Sequence, residues 1–198
     1  ASAEQISLMV SASAISATLT TIFIGALSDK LGKRKLFICS GYILWGISIW
    51  SFSLIRTDVI DKMFPMAVSA ASVGVSLVII MDCVMTFFGS AANDACFNAW
   101  LTDVTDDTNR GAAEGINSMM PLISILIVFG GLSGFAKIQD DGTDTWYIVF
   151  LIIGILVLVS GIIGLFTIKE VKHEIKKDEP YFKNIFYGFR PSVIKENK

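Results

Sequence analysis

Five long apolar runs separated by short charged or polar stretches pattern the chain, at approximately residues 5–28, 36–55, 75–100, 115–136 and 146–168. A helix rises 1.5 Å per residue, so about 20 apolar residues cross a hydrocarbon core about 30 Å thick. Every run meets that length. None alternates apolar and polar residues in the segments of about ten that a membrane β-barrel needs. The pattern predicts an all-α polytopic membrane protein, with about five transmembrane helices over residues 1–168 and a polar segment over 169–198. The first run lacks a basic flank and a small-residue cleavage site, which predicts a retained span rather than a signal peptide. In the last segment Phe182, Ile185, Phe186 and Phe189 recur at i, i+3, i+4 and i+7 between Pro180 and Pro191. That spacing predicts a short amphipathic helix lying on the bilayer surface or against the bundle.

Composition agrees: 53% of the residues are hydrophobic, 17% are charged, and mean hydropathy is +0.64. The net charge of -2 is uninformative, because in a membrane protein the placement of charge decides topology. Lys30, Lys33, Arg34, Lys35, Arg110 and the basic tail from Lys169 onward fall on one face, against Arg56, Lys62 and Lys137 on the other. The excess of Lys and Arg predicts that the first face is cytoplasmic, with the amino end outside, the tail inside, and the chain multi-pass in the plasma membrane.

Polar residues inside the spans are the candidate chemistry. A carboxylate at the bilayer centre costs about 2.5–3.5 kcal/mol even on the mildest insertion scale. Asp82 and Asp94 both lie in the third run. At 100° per residue, Asp82, Thr86, Gly89 and Asn93 form one stripe, which suits either a solute or cation path or an interhelical hydrogen bond. Asp94 lies on another face and closer to the cytoplasmic end, where either water or Asn98 at i+4 is within its reach. Pro121 should kink the fourth span, and Gly130 with Gly134 forms a G-x-x-x-G pair suited to close packing. Ser7, Ser11 and Thr18 share a face of the first span, fitting tight packing or a polar path. Tyr42, Trp45 and Trp50, with Trp146 and Tyr147, read as interface aromatics on peripheral scaffolding.

Enzymatic readings find little support. His173 is the one histidine and sits in the charged tail, and the glycines of residues 25–35 lack the G-x-x-x-x-G-K-[ST] order of a phosphate loop. Cys39, Cys83 and Cys96 lie in apolar runs and read as small core residues, without disulfide or metal spacing. No resident cofactor is expected, and the basic tail carries no recognisable nucleic-acid-reading motif.

The stretch "GALSDKLGKRK", residues 25–35, packs five charges into seven positions directly after an uncharged run. Gly25 permits a close helix approach, Gly32 a tight turn, and Asp29 ends one helix while Lys33, Arg34 and Lys35 open the next. This order resembles the signature that the major facilitator superfamily carries between its second and third helices. "NAWLTDVTDDTNRG", residues 98–111, is similar to the acidic, arginine-containing loop after the family's fourth helix, with L-T-D and Arg110 closest to the glycoside-pentoside-hexuronide cation symporters. The resemblance implies a partial major facilitator fold, with one family helix upstream of Ala1 and the carboxyl-terminal half of the transporter as a partner following Lys198. It implies a cytoplasmic gate in which Asp29 pairs with an arginine, Arg110 being the candidate; the plainer alternative is that Asp29 only terminates its helix. It also implies a secondary transporter for a small polar solute, such as a sugar, coupled to a proton or sodium ion. A non-transporting membrane scaffold or a transporter remnant is the contrasting class.

Overall fold

The computed structural model describes residues 2–65, 69–136 and 145–171. Helix α1 spans Ala3–Leu31 and α2 Arg34–Phe52, followed by a short α3 at Thr57–Met63. The third run forms one continuous rod: α4, Ala70–Gly89, passes into a π-helical segment at Ser90–Phe97 and then into α5, Asn98–Val104. Helix α6, Arg110–Ile127, continues through a second π segment, Val128–Leu132, and a 3₁₀ turn, Ser133–Ala136, and α7 spans Trp146–Thr167. No strand occurs among the described residues, and five helices are long and apolar enough to cross a membrane. The all-helical, five-span expectation holds.

Helix α1 outruns its apolar run, and its polar ends are capped. At the start of α1, Ser2 Oγ accepts the Gln5 N–H at 3.2 Å while Gln5 Oε1 accepts the Ser2 N–H at 2.8 Å, a reciprocal capping box. The amphipathic pattern at 181–190 lies outside the described residues.

Helix α2 is the hub. One side meets the third span, where a Cβ on Gly41 would stand 2.7 Å from Ala92 Cβ. Its other side meets α7: a Cβ on Gly46 would lie 2.5 Å from the Leu158 backbone nitrogen, and one on Gly154 2.8 Å from that of Trp50. Glycine at these positions lets the two backbones touch. Helix α1 covers another face of the third span, with Gly25 opposite Ala95. Ile38, Ala95 and Cys96 form the buried cluster at the basic end, surrounded by Ile24, Phe37, Trp100 and Ile168. Cys39 and Cys96 are buried and Cys83 is half-buried.

Helix α6 contrasts with the others, having no buried residue; Leu122 and Leu126 are 65% and 72% exposed. The close packing expected at Gly130 and Gly134 is not found, since a Cβ at either would meet nothing within 4 Å. Both lie where the helix widens and then tightens, which breaks the i, i+4 register that a G-x-x-x-G face requires. Pro121 sits inside the regular part of α6.

Candidate functional site

Two polar constellations stand out, one at the basic end of the bundle and one within the third span. At the basic end α1 closes on Gly32, whose φ of 60° puts it in the left-handed region, and its N–H returns to Ser28 O at 2.9 Å. Lys33, exposed, is the half-in residue before α2 and makes no side-chain cap. This tight turn brings Asp29, in the last turn of α1, next to Arg34, the first residue of α2. Arg34 Nη2 donates to Asp29 Oδ1 at 2.8 Å, and Arg34 Nη1 forms an ion pair with Asp103 Oδ2, in the last turn of α5, at 2.7 Å. The second contact is an ion pair without hydrogen-bond alignment, and Arg34 Nε is buried with no hydrogen-bond partner among the described residues. One guanidinium thus ties together the ends of three helices.

Local electrostatics explain the arrangement. A carboxylate at a helix C-terminus and a cation at a helix N-terminus are each disfavoured by the macrodipole. Asp29 and Arg34 hold those positions and offset each other. The side chains of Arg34 and Asp103 are 12% and 14% exposed, whereas that of Asp29 is 60% exposed, so the Arg34–Asp103 half is the sheltered one.

The pairing of Asp29 with Arg110 is not what the structure shows. Arg110 Nη2 donates to the carbonyls of Thr102 at 3.1 Å and Thr105 at 3.3 Å, and Nε to Thr105 Oγ1 at 3.5 Å. These carbonyls close α5 and have no onward helical donor, so Arg110 caps its own hairpin. In that hairpin Asp106 Oδ1 accepts from Thr108 Oγ1 at 2.5 Å and Thr108 N at 2.9 Å. Those bonds, with the Asn109 turn and nearby Arg110, hold the Asp106 carboxyl below its ordinary range. Glu170 caps α2 from the other side, accepting the Lys35 N–H at 3.2 and 3.3 Å.

Within the third span the stripe divides between two neighbours. Ser13 Oγ of α1 donates to Asp82 Oδ2, and Ser16 Oγ donates to Cys83 O at 3.2 Å. Thr86 is half-buried, and its carbonyl accepts the Ser90 N–H at the α-to-π junction. Gly89 lies under the Trp45 indole, where a Cβ would be 2.9 Å from the ring. Tyr42 Oη donates to Asn93 Oδ1 at 3.0 Å, and Asn93 Nδ2 donates to exposed Asp94 Oδ1 at 3.1 Å. A carboxylate only accepts, so the amide nitrogen must face Asp94, which leaves the Asn93 carbonyl for the Tyr42 proton. The stripe thus meets α1 at Asp82 and α2 at Gly89 and Asn93.

Asp94 does not reach Asn98. In the π segment the Asn98 N–H bonds Asn93 O, one residue farther back than in an α-helix, which turns Asn98 away from Asp94. Its side chain instead accepts from Asn117 Nδ2 of α6 at 3.1 Å. Sequence reasoning missed Ser13, Tyr42 and Asp103 as partners. Asp103 lay within the quoted L-T-D, and Tyr42 is the one hydroxyl-bearing aromatic in the first two spans, whose other polar aromatics are Trp45 and Trp50. Ser13 had no distinguishing signal among many hydroxyl residues.

A multi-span helical bundle with a charge-clamped interhelical turn at one end and carboxylates inside one span is the architecture of a polytopic integral membrane protein. The chain matches the family model of the Major Facilitator Superfamily over residues 1–196 and belongs to that family, whose members are transporters rather than enzymes. Neither a curated protein nor a solved structure matches it significantly.

Proposed function

We propose that this chain serves a secondary active transporter moving a small polar solute, a sugar coupled to a proton or sodium ion, by alternating access. The observation carrying this reading is that neither Asp82 nor Asp94 meets a cationic side chain among the described residues; their hydrogen-bond donors are a serine and an asparagine. A single charge-assisted hydrogen bond contributes about 1.5–3 kcal/mol, against about 2.5–3.5 kcal/mol for placing an aspartate at the bilayer centre. A bound proton, cation or hydroxyl-rich solute supplies the difference.

In this reading Asp82, Thr86, Asn93 and Asp94 border the solute or cation path. The gate motif is Gly25, Asp29, Gly32, Lys33 and Arg34, with Asp103 as the sheltered acid of the clamp and Arg110 bracing the hairpin beside it. The clamp lies at the cytoplasmic face of the plasma membrane, with the amino end outside. A gate of this kind acts by forming in one state and breaking in another. The carboxyl-terminal transporter half supplies the opposing wall.

The test uses the complete protein in lipid vesicles, a panel of labelled mono- and disaccharides, and imposed sodium or pH gradients. Asp82→Asn and Asp94→Asn should each abolish gradient-driven accumulation while leaving exchange of internal for external sugar. Normal accumulation in both variants removes the carboxylates from coupling. A folded protein that moves nothing under either gradient favours the scaffold.

A further inference from the structure

A groove of about 440 Å³ opens between α2, α5 and α7, lined by Cys39, Tyr42, Trp100, Ser160, Gly164 and Ile168 among others. Its polar groups are already satisfied within the protein. Tyr42 Oη donates to Asn93, Trp100 Nε1 to Lys169 O at 3.0 Å, and Ser160 Oγ to Leu156 O at 2.8 Å. A polar solute entering here would find no free donor among these three groups, whereas a hydrocarbon loses nothing by it.

Dimensions and depth point the same way. From Ile168 to Ser160 the groove follows α7 for about 12 Å at 1.5 Å per residue, against about 15 Å for one leaflet of hydrocarbon. It starts at the level of Trp100 and Lys169, an aromatic and a base of the kind that mark the membrane interface. Helix α7 is the most apolar span, with a hydropathy of 3.1, and Ile163 beside the groove is 53% exposed. Lys35, one turn before Cys39, and Lys169, next to Ile168, adjoin its mouth. Glu170 lies with them, its carboxylate accepting the Lys35 N–H, so among the described residues two lysines against one acid leave the mouth with one net positive charge.

We infer that this groove holds one acyl chain of an anionic phospholipid from the leaflet on the Lys35 side, its headgroup set between Lys35 and Lys169. Filling the groove restores the dispersion contacts that an open apolar cleft lacks, and each lysine adds electrostatic attraction for an anionic surface.

The test places the complete protein in phosphatidylcholine vesicles doped with phosphatidylglycerol carrying a photoreactive group in its acyl chain, or with phosphatidylcholine bearing the same group. Adducts mapped by mass spectrometry should concentrate at Trp100 and residues 163–168, above the level at exposed Leu122 and Leu126 of α6. The glycerol lipid should label at least about fivefold more than the choline lipid, as attraction of about 1 kcal/mol for one net positive charge implies. Lys35→Ala with Lys169→Ala should erase that preference, and Ser160→Trp should lower groove labelling to the α6 level while leaving α6 unchanged. Should Ser160→Trp fail to fold, the two-lipid comparison in the unaltered protein still decides. Equal labelling of groove and α6 shows ordinary boundary lipid and overturns the inference, as does labelling indifferent to headgroup. Groove labelling that appears only after removal of residues 172–198 shows that the protein's own tail is the occupant, and overturns it too.

Discussion

Asp103→Asn should destabilise the bundle by about 3 kcal/mol, the lower end of the range for breaking one partner of a sheltered ion pair. The figure follows from burial. Arg34 and Asp103 are 12% and 14% exposed and 2.7 Å apart, so the substitution leaves the guanidinium with a single acid at its exposed edge. Asp29→Asn should cost only about 0–1 kcal/mol, because the Asp29 side chain is 60% exposed and water replaces most of what it loses. A double-mutant cycle with Arg34→Gln isolates each half. The coupling energy should be large for Arg34 with Asp103 and small for Arg34 with Asp29. About 1 M salt should erase the second, where the Debye length falls to about 3 Å, and leave most of the first. Equilibrium unfolding of the purified protein, from mild detergent into sodium dodecyl sulfate and followed by tryptophan fluorescence, measures all of these. An Asp29→Asn cost equal to or above that of Asp103→Asn would refute the reasoning, as would strict additivity of Arg34→Gln and Asp103→Asn.

The same assay reads the packing of α2 on α7: Gly46→Ala puts a methyl 2.5 Å from the Leu158 backbone and should cost about 1–3 kcal/mol, whereas Gly130→Ala and Gly134→Ala meet open space and should not destabilise. Tyr42→Phe should cost about 0.6–1 kcal/mol by freeing Asn93, and the cost should vanish in an Asn93→Ala background. Asp106 has its carboxyl held below the ordinary value, so its contribution to the hairpin is complete above the unfolded carboxylate range and is lost as pH falls through the lower folded value. Amide hydrogen exchange at Thr108 and Asn109 should therefore be unchanged from pH 7 to pH 5 after correction for intrinsic rates, and Asp106→Ala should raise it at both.

Hydropathy made the five spans readable because lipid offers the backbone no hydrogen bonds, so a crossing segment must be a long apolar helix whatever its neighbours are. Charge partners were less readable. From sequence, Asp29 can meet Arg34 five residues on or Arg110 across the bundle; only the left-handed turn at Gly32 decides for the first, and only the open carbonyls of α5 draw Arg110 away. Glycine roles failed in the same manner. Gly130 and Gly134 have the familiar spacing and pack on nothing, while Gly46 and Gly154, on different helices and without a shared motif, bring two backbones into contact. Spacing within one helix cannot name the partner that makes a glycine useful.

The third span shows why a uniform helical wheel is insufficient for the candidate path. Through Gly89 the rod is α-helical and 100° per residue applies, which places Asp82 and Thr86 together as read from sequence. From Ser90 to Phe97 the wider π turn slows the rotation, so residues beyond the junction face elsewhere than the wheel predicts. Asp82 is consequently held by α1, through Ser13, and Asp94 by α2, through Asn93 and Tyr42. The two carboxylates belong to one helix but are oriented by two others, which are themselves joined at the basic end through Arg34 and Asp29. A change in how α1 and α2 sit at that clamp is therefore a change in the setting of both acids, which is how the proposed gate motif would be linked to the proposed path.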